Sequence, residues 1–107
     1  MKIAVLPGDG IGPETVAQAV KVLQALAKRG LTFEMEHGLV GGAAYEAAGD
    51  PLPPASFSLA QKADAILFGA VGRDEFEHLG DKRPGVGLMR LRKELNLFAD
   101  FRPVKMF

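Results

Sequence analysis

"VLPGDGIGPE", residues 5–14, is the stretch whose reading decides the fold. It ends the short apolar run "KIAVL" (2–6), and a helical pattern follows it. A run rich in strand formers and stopped by Pro-Gly predicts a buried strand. Pro13 suits a first helical position, where its missing amide would be unpaired in any case. The three glycines at 8, 10 and 12 therefore lie between a strand and a helix, where dinucleotide-binding loops are found. Their spacing departs from that fingerprint. Counted from Gly8 and Gly10, the third glycine of G-x-G-x-x-G belongs at position 13, which is proline, and Gly12 falls one residue early. The acidic residue wanted about 20 positions later is available only as Glu34 or Glu36, inside the next strand-like run. Two readings remain at this stage: a tight turn into a Pro-started helix, or a helix N-terminus offering free amides to an anion.

Working outward, Val16, Val20, Leu23 and Ala27 recur at helical spacing, widened by Ala19, Val22 and Leu26. Glu14 lies in the first turn, Lys28 and Arg29 in the last, and Gly30 stops the helix. "LTFEMEHGLV" (31–40) alternates Leu31, Phe33 and Met35 with polar residues, as a strand with one wet face does. A short helix closed by Gly49 follows in 41–50, then the stiff connector "PLPP" (51–54). A second short helix spans 55–63, and 64–71 reads as another buried strand. This β-α-β-(α)-α-β order favours an α/β sheet with parallel pairs. Residues 72–87, charged and glycine-rich, read as a loop; 88–98 is helical, and 100–107 begins like a strand that ends on Phe107 inside its element.

The 107 residues form one domain-sized unit with a modest core. Thirteen basic and thirteen acidic residues cancel, which gives no reason to expect nucleic acid or anionic membrane as a partner. The absence of cysteine excludes disulfides and thiolate metal sites. No run approaches the roughly 20 apolar residues of a membrane helix, and the start is too short in apolar residues for a signal peptide. The default expectation is a soluble, cytoplasmic protein.

Among chemistry-bearing residues, Arg92 stands out. At about 100° per residue it falls roughly 40° from Leu88, at the border of the helix's apolar stripe, while Arg90 and Lys93 face water. A guanidinium there needs an anion: either a structural Asp or Glu, or a substrate carboxylate held by its fork. Arg102, held extended by Pro103, is an ordinary strand-end arginine or a second arm of a clamp on a di-acid. His37 and His78 have no ligand-like partners, and Asp9, Asp74, Asp81 and Asp100 are too scattered to suggest a metal site.

"MKIAVLPGDGIGPE", "LVGGAAYEAAGDPLP" (39–53), "ADAILFGAVG" (63–72) and "GLMRLRKELNLFADFRPVKMF" (87–107) together resemble the amino-terminal third of the β-decarboxylating dehydrogenases, the isocitrate/isopropylmalate dehydrogenase family, and the isopropylmalate branch best. The resemblance implies an α/β, non-Rossmann sheet flanked by helices, incomplete here. Residues 1–98 would be the amino-terminal part of the first domain, and 99–107 the first strand leading into a second. It implies NAD-dependent oxidative decarboxylation of 3-isopropylmalate in leucine biosynthesis, with Mg²⁺ or Mn²⁺ bound by residues outside this chain, in a cytoplasmic homodimer. The catalytic Tyr and Lys would also lie outside, so the 107 residues alone are expected to be inactive. Arg92 and Arg102 match the family's carboxylate-binding arginines, and Leu88 and Met89 the apolar pair that meets the isopropyl group. Ile11 would border the adenosine, and Gly72, Glu77 and Gly87 fall where the loop and following helix meet the cofactor's nicotinamide half.

The chain departs from the family pattern at Gly85, where a glutamate is usual, and at Arg73, where a second glycine is usual. The Gly85 departure keeps open a related 2-hydroxy acid (D-malate, tartrate or homoisocitrate) as substrate. A non-catalytic nucleotide-binding fragment is the reading from another class. Exposed apolar residues near the carboxy end predict a tendency to associate.

Overall fold

The computed structural model describes residues 1–107. Strands β1 (Lys2–Gly8), β2 (Glu34–His37) and β3 (Ala65–Ala70) form one parallel sheet in the order β2-β1-β3. The helices are α1 (Gly12–Ala27), α2 (Gly42–Ala48), α3 (Pro54–Lys62) and α4 (Pro84–Glu94), with a 3-10 segment at Asp74–Lys82. Val5 pairs with His37 on one side of β1 and with Leu67 on the other.

β1 is the central strand, and its Ile3, Ala4, Val5 and Leu6 are all buried. The period-two geometry of a strand sends alternate residues to opposite faces. Ile3 and Val5 pack with Val16 of α1, supported by Val20, Leu23 and Leu67. Leu6 points the other way, into a cluster with Val40, Leu52, Ala60 and Leu91. Two layers follow from the strand order. The crossovers from β1 to β2 and from β2 to β3 run in opposite directions, so right-handed connections place their helices on opposite faces.

The loop after β1 is built by contact with β3. Gly8 has φ +76° and pairs with Ala70; a Cβ on it would collide with the Ala70 carbonyl oxygen. A Cβ on Gly12 would strike the Pro7 carbonyl oxygen. Gly10 differs: its φ is +55°, but nothing lies within 4 Å of the place a Cβ would take. Two of the three glycines are therefore demanded by close packing within the chain.

Several expectations need correction. β2 is only four residues long, not ten, because β1 offers it paired positions only from Lys2 to Val5. β3 is half-buried rather than buried, since it is an edge strand whose far side is uncovered. Val22 and Leu26, the widened part of the α1 stripe, are 61% and 38% exposed, so only the Val16–Val20–Leu23 stripe meets the sheet. Residues 74–82 are 3-10 turns bent at Gly80 (φ 56°) rather than irregular loop. α4 starts at Pro84, four residues early, because proline again fits the first turn. It ends at Glu94 rather than running to 98. The strand foreseen in 99–107 does not form: a strand needs a hydrogen-bonded neighbour, and none lies beside this segment. No helix is long and apolar enough to cross a membrane.

The packing of the loop makes a ranked prediction for urea unfolding. Gly10→Ala should cost about 1–2 kcal/mol, the left-handed backbone penalty alone. Gly8→Ala should cost at least about 3 kcal/mol, because a backbone carbonyl blocks it as well. Equal losses at the two positions would contradict the contact assignment.

Candidate functional site

At the carboxyl ends of β1 and β3 the chain gathers its polar backbone around one side chain. Asp9 is 4% exposed. Its Oδ2 accepts hydrogen bonds from the amides of Gly42 (2.7 Å) and Gly72 (3.1 Å), and its Oδ1 from Ala43 (2.8 Å). Its own amide donates to the Ala70 carbonyl at 2.7 Å. α2 has no capping side chain of its own, so Asp9 caps it from 33 residues away. Hydrogen bonds to a carboxylate are about twice as strong as neutral ones, and the three amides bind the loops after β1, β2 and β3 to one anion. In the sequence Asp9 is one of several scattered aspartates that suggest no metal site, and its role as a hub is not apparent there. The available signal was its place: an acid between two glycines at the end of a buried strand.

Ile11, at the start of α1, is 59% exposed beside this hub. Gly72 is exposed and tied into it by its amide, and Glu77 is exposed on the 3-10 segment. Gly87 is buried, and a Cβ there would lie 2.7 Å from the Pro51 carbonyl oxygen, so this glycine lets α4 approach the 51–53 connector.

A second region lies between β3 and α4. Phe68, Val71, Leu88, Leu91 and Leu97 line an apolar cleft of about 530 Å³ with Arg92 at its edge. Leu88 is half-buried in this wall, whereas Met89, 61% exposed, is not part of it. Arg92 and Arg102 converge on one carboxylate. Arg102 donates to Asp100 Oδ2 from Nη2 (3.1 Å) and Nε (3.3 Å), and Arg92 Nη1 stands 4.0 Å from the same oxygen. The Arg102 hydrogen bond first, then its charge and that of Arg92, hold the Asp100 carboxyl below its ordinary value against a slight opposing effect of burial. Arg90 faces water as expected and, on the surface, donates to Asp50 Oδ1 at 2.7 Å. A second depression, of about 400 Å³, lies at the ends of β1 and β2 beside Pro7, Pro13, His37 and Val40, and none of the substrate- or cofactor-contact residues that the family resemblance implies lines it.

The two regions differ in what they can bind. Asp9 takes the amides of Gly42, Ala43 and Gly72 in the loops after β2 and β3, and its carboxylate opposes a second anion at those three amides. Beside this hub Gly10 has open space around it and Ile11 is exposed. The cleft edged by Arg92, with Arg102 on the shared Asp100 carboxylate outside it, suits a small acid with an apolar substituent. No three acidic or histidine side chains come together around a point where one divalent ion could sit, so residues 1–107 do not fit a metal centre.

Residues 2–107 match the isocitrate/isopropylmalate dehydrogenase family. The chain is 59% identical, over its whole length, to a 3-isopropylmalate dehydrogenase of Thiobacillus denitrificans, of which it covers 31%. It is 61% identical to one of Burkholderia thailandensis over 96% of the chain and 28% of that relative. Among solved structures, the apo β-decarboxylating dehydrogenase of Thermococcus kodakarensis superposes with a TM-score of 0.69 at 35% identity, over 91% of this chain and 27% of that one. An isocitrate dehydrogenase of Methylococcus capsulatus gives 0.64 at 33% identity, over 90% of this chain and 26% of that one. The chain thus spans about three-tenths of the length of these relatives.

The Asp50–Arg90 pair, joining the end of α2 to α4, gives this region a pH signature. Burial alone would raise the Asp50 carboxyl, but the Leu52 amide, the Arg90 hydrogen bond and nearby positive charge bring it below its ordinary value of 3.8. A depressed carboxyl stabilises the fold above that ordinary value, and the contribution disappears as pH falls through the folded-state value. Asp50→Asn should therefore lower unfolding free energy by up to about 1 kcal/mol at pH 7. The difference from wild type should shrink as pH falls below 3.8 and vanish once Asp50 is protonated in the folded state; a difference that persists in acid would exclude this pair as its source.

Proposed function

The chain belongs to the isocitrate/isopropylmalate dehydrogenase family, and from that membership we propose that it forms the amino-terminal substrate- and cofactor-binding face of an NAD-dependent 3-isopropylmalate dehydrogenase of leucine biosynthesis. The observation that carries the reading is the convergence of Arg92 and Arg102 on one carboxylate beside an apolar cleft. In the proposed complex a substrate carboxylate takes the position that the Asp100 carboxylate occupies between the two guanidinium groups. The isopropyl group then reaches the wall at Leu88, where excluding water from it favours the apolar substituent over a second polar one. Met89 would act at the mouth of the cleft. The high identity to two relatives that carry the name supports the isopropylmalate branch.

Ile11 would pack on the nucleoside, and Gly72, Glu77 and Gly87 would border the nicotinamide half. When bound, NAD supplies the hydride acceptor. Residues 1–107 bind and orient; we assign them no proton transfer, and the proposed Mg²⁺ or Mn²⁺ ligands, the acid–base groups and the second domain entered at 99–107 lie outside them. A cytoplasmic homodimer is part of the same reading. Gly85 is exposed with open space around it, which leaves room for a substituent other than isopropyl and keeps D-malate as the comparison substrate.

The test is a chimera in which residues 1–107 replace the matching segment of the Thiobacillus denitrificans relative. It should form NADH with 3-isopropylmalate and prefer it to D-malate. Arg92→Ala should lower kcat/KM for 3-isopropylmalate about 30- to 100-fold, the effect of losing a charged hydrogen bond. The 107 residues alone should give no turnover. A preference for D-malate, or an unchanged kcat/KM in Arg92→Ala, would refute the assignment.

A further inference from the structure

The 3-10 segment packs on α4 rather than on the sheet, and Arg73 ties its first turn to α2. Arg73 lies between Gly72, which Asp9 binds, and the first 3-10 turn. Its Nη1 donates to Glu46 Oε2 on α2 at 2.8 Å, and its Nη2 pairs with Glu75. Its guanidinium carbon stands 4.9 Å from the centre of the Phe76 ring, within cation–π range. The Phe76 ring in turn lies 5.1 Å from Tyr45 of α2, tilted by 58°. Gly42 provides the room: a Cβ there would collide with the Arg73 stem and lie 3.1 Å from Phe76. Arg73 is 31% exposed in its side chain, so its stem is packed while its charge is paired. The Arg73–Glu46 pair, the tilted contact of Phe76 with Tyr45 and the gap at Gly42 join the first turn of the segment to α2, while the Arg73–Glu75 pair is local to the turn.

We propose that Arg73 is a positioning residue: it seats Asp74–Lys82 on α2, and by holding that segment in one place it strengthens nucleotide binding there. The second half rests on the proposed cofactor contacts at Gly72 and Glu77. A segment already seated loses less freedom when a ligand orders it, and each immobilised long side chain is worth a small factor in affinity. Lysine would keep the charge but not the planar fork that meets Glu46, Glu75 and the Phe76 face together.

The sequence contains a single tyrosine and no tryptophan, so Tyr45 reports on this contact without labelling. In the 107-residue chain, Arg73→Ala should change the near-ultraviolet circular dichroism of Tyr45 and speed amide exchange across 74–82 about tenfold or more, with the β1 amides unchanged. Arg73→Lys should fall between Arg73→Ala and wild type. In the chimera with the Thiobacillus denitrificans relative, Arg73→Ala should raise KM for NAD about fivefold, with kcat and KM for 3-isopropylmalate held. Unchanged exchange and an unchanged Tyr45 signal would overturn the seating. Faster exchange with an unchanged KM for NAD would overturn the link to nucleotide binding. A chimera that forms no NADH at all would instead defeat the function proposed above, and the exchange result would still decide whether Arg73 seats the segment.

Discussion

The carboxylate of Asp9, holding the amides of Gly42, Ala43 and Gly72, is the interaction on which the rest depends. Parallel strands end side by side, and their loops would otherwise leave a cluster of free amides at one end of the sheet. In doubly wound sheets that cluster is where ligands bind, at the point where strand order reverses. Here β1 is that point, with β2 and β3 on either side. The chain fills the place with its own anion, and three loops acquire one fixed arrangement. The glycines at 8 and 12 permit the close approach to Ala70 and Pro7 that brings Asp9 into reach. The aspartate of the loop that resembles a phosphate cradle thus serves to join that loop to the two others.

From that junction, order spreads in two directions. Through Gly72 it reaches Arg73, which carries it to the 3-10 segment by way of Glu46, Phe76 and Tyr45. On the other face of the sheet, Leu6, Leu52 and Leu91 share a core that fixes α4. Because Leu91 is buried there, its neighbours Leu88 and Arg92 are directed to the cleft beside β3. The proposed substrate site is therefore placed by α4, and the proposed cofactor side by the Asp9 junction. The two are joined through β3, whose Ile66 and Phe68 line the cleft and whose last residue, Ala70, accepts the Asp9 amide.

Much of the fold can be read from the sequence because the periodic elements are local. Val16, Val20 and Leu23 mark α1 without reference to anything distant, and the apolar run 3–6 marks the central strand. Arg92 could also be singled out locally, since its angle on the helix gave it away. What was illegible depends on long-range partners. Asp9 looks like any turn aspartate until residues 42, 43 and 72 are placed around it. Asp50 and Arg90 are 40 residues apart, and nothing local marks them as a pair. The 3-10 segment has no helical stripe; its order comes from Arg73 and Phe76 meeting α2. The strand expected at 99–107 failed for the opposite reason: its pattern is right, but strand pairing is a property of two segments.

The account is tested most directly at the three amides. Hydrogen exchange at Gly42, Ala43 and Gly72, followed residue by residue in wild type and in Asp9→Asn, asks whether one carboxylate holds all three. The account predicts protection at all three in wild type and a joint loss of about tenfold or more in Asp9→Asn, as expected when charged hydrogen bonds are removed, while Ala4 and Leu6 in β1 stay protected. Loss at only one of the three amides, or at none, would contradict it.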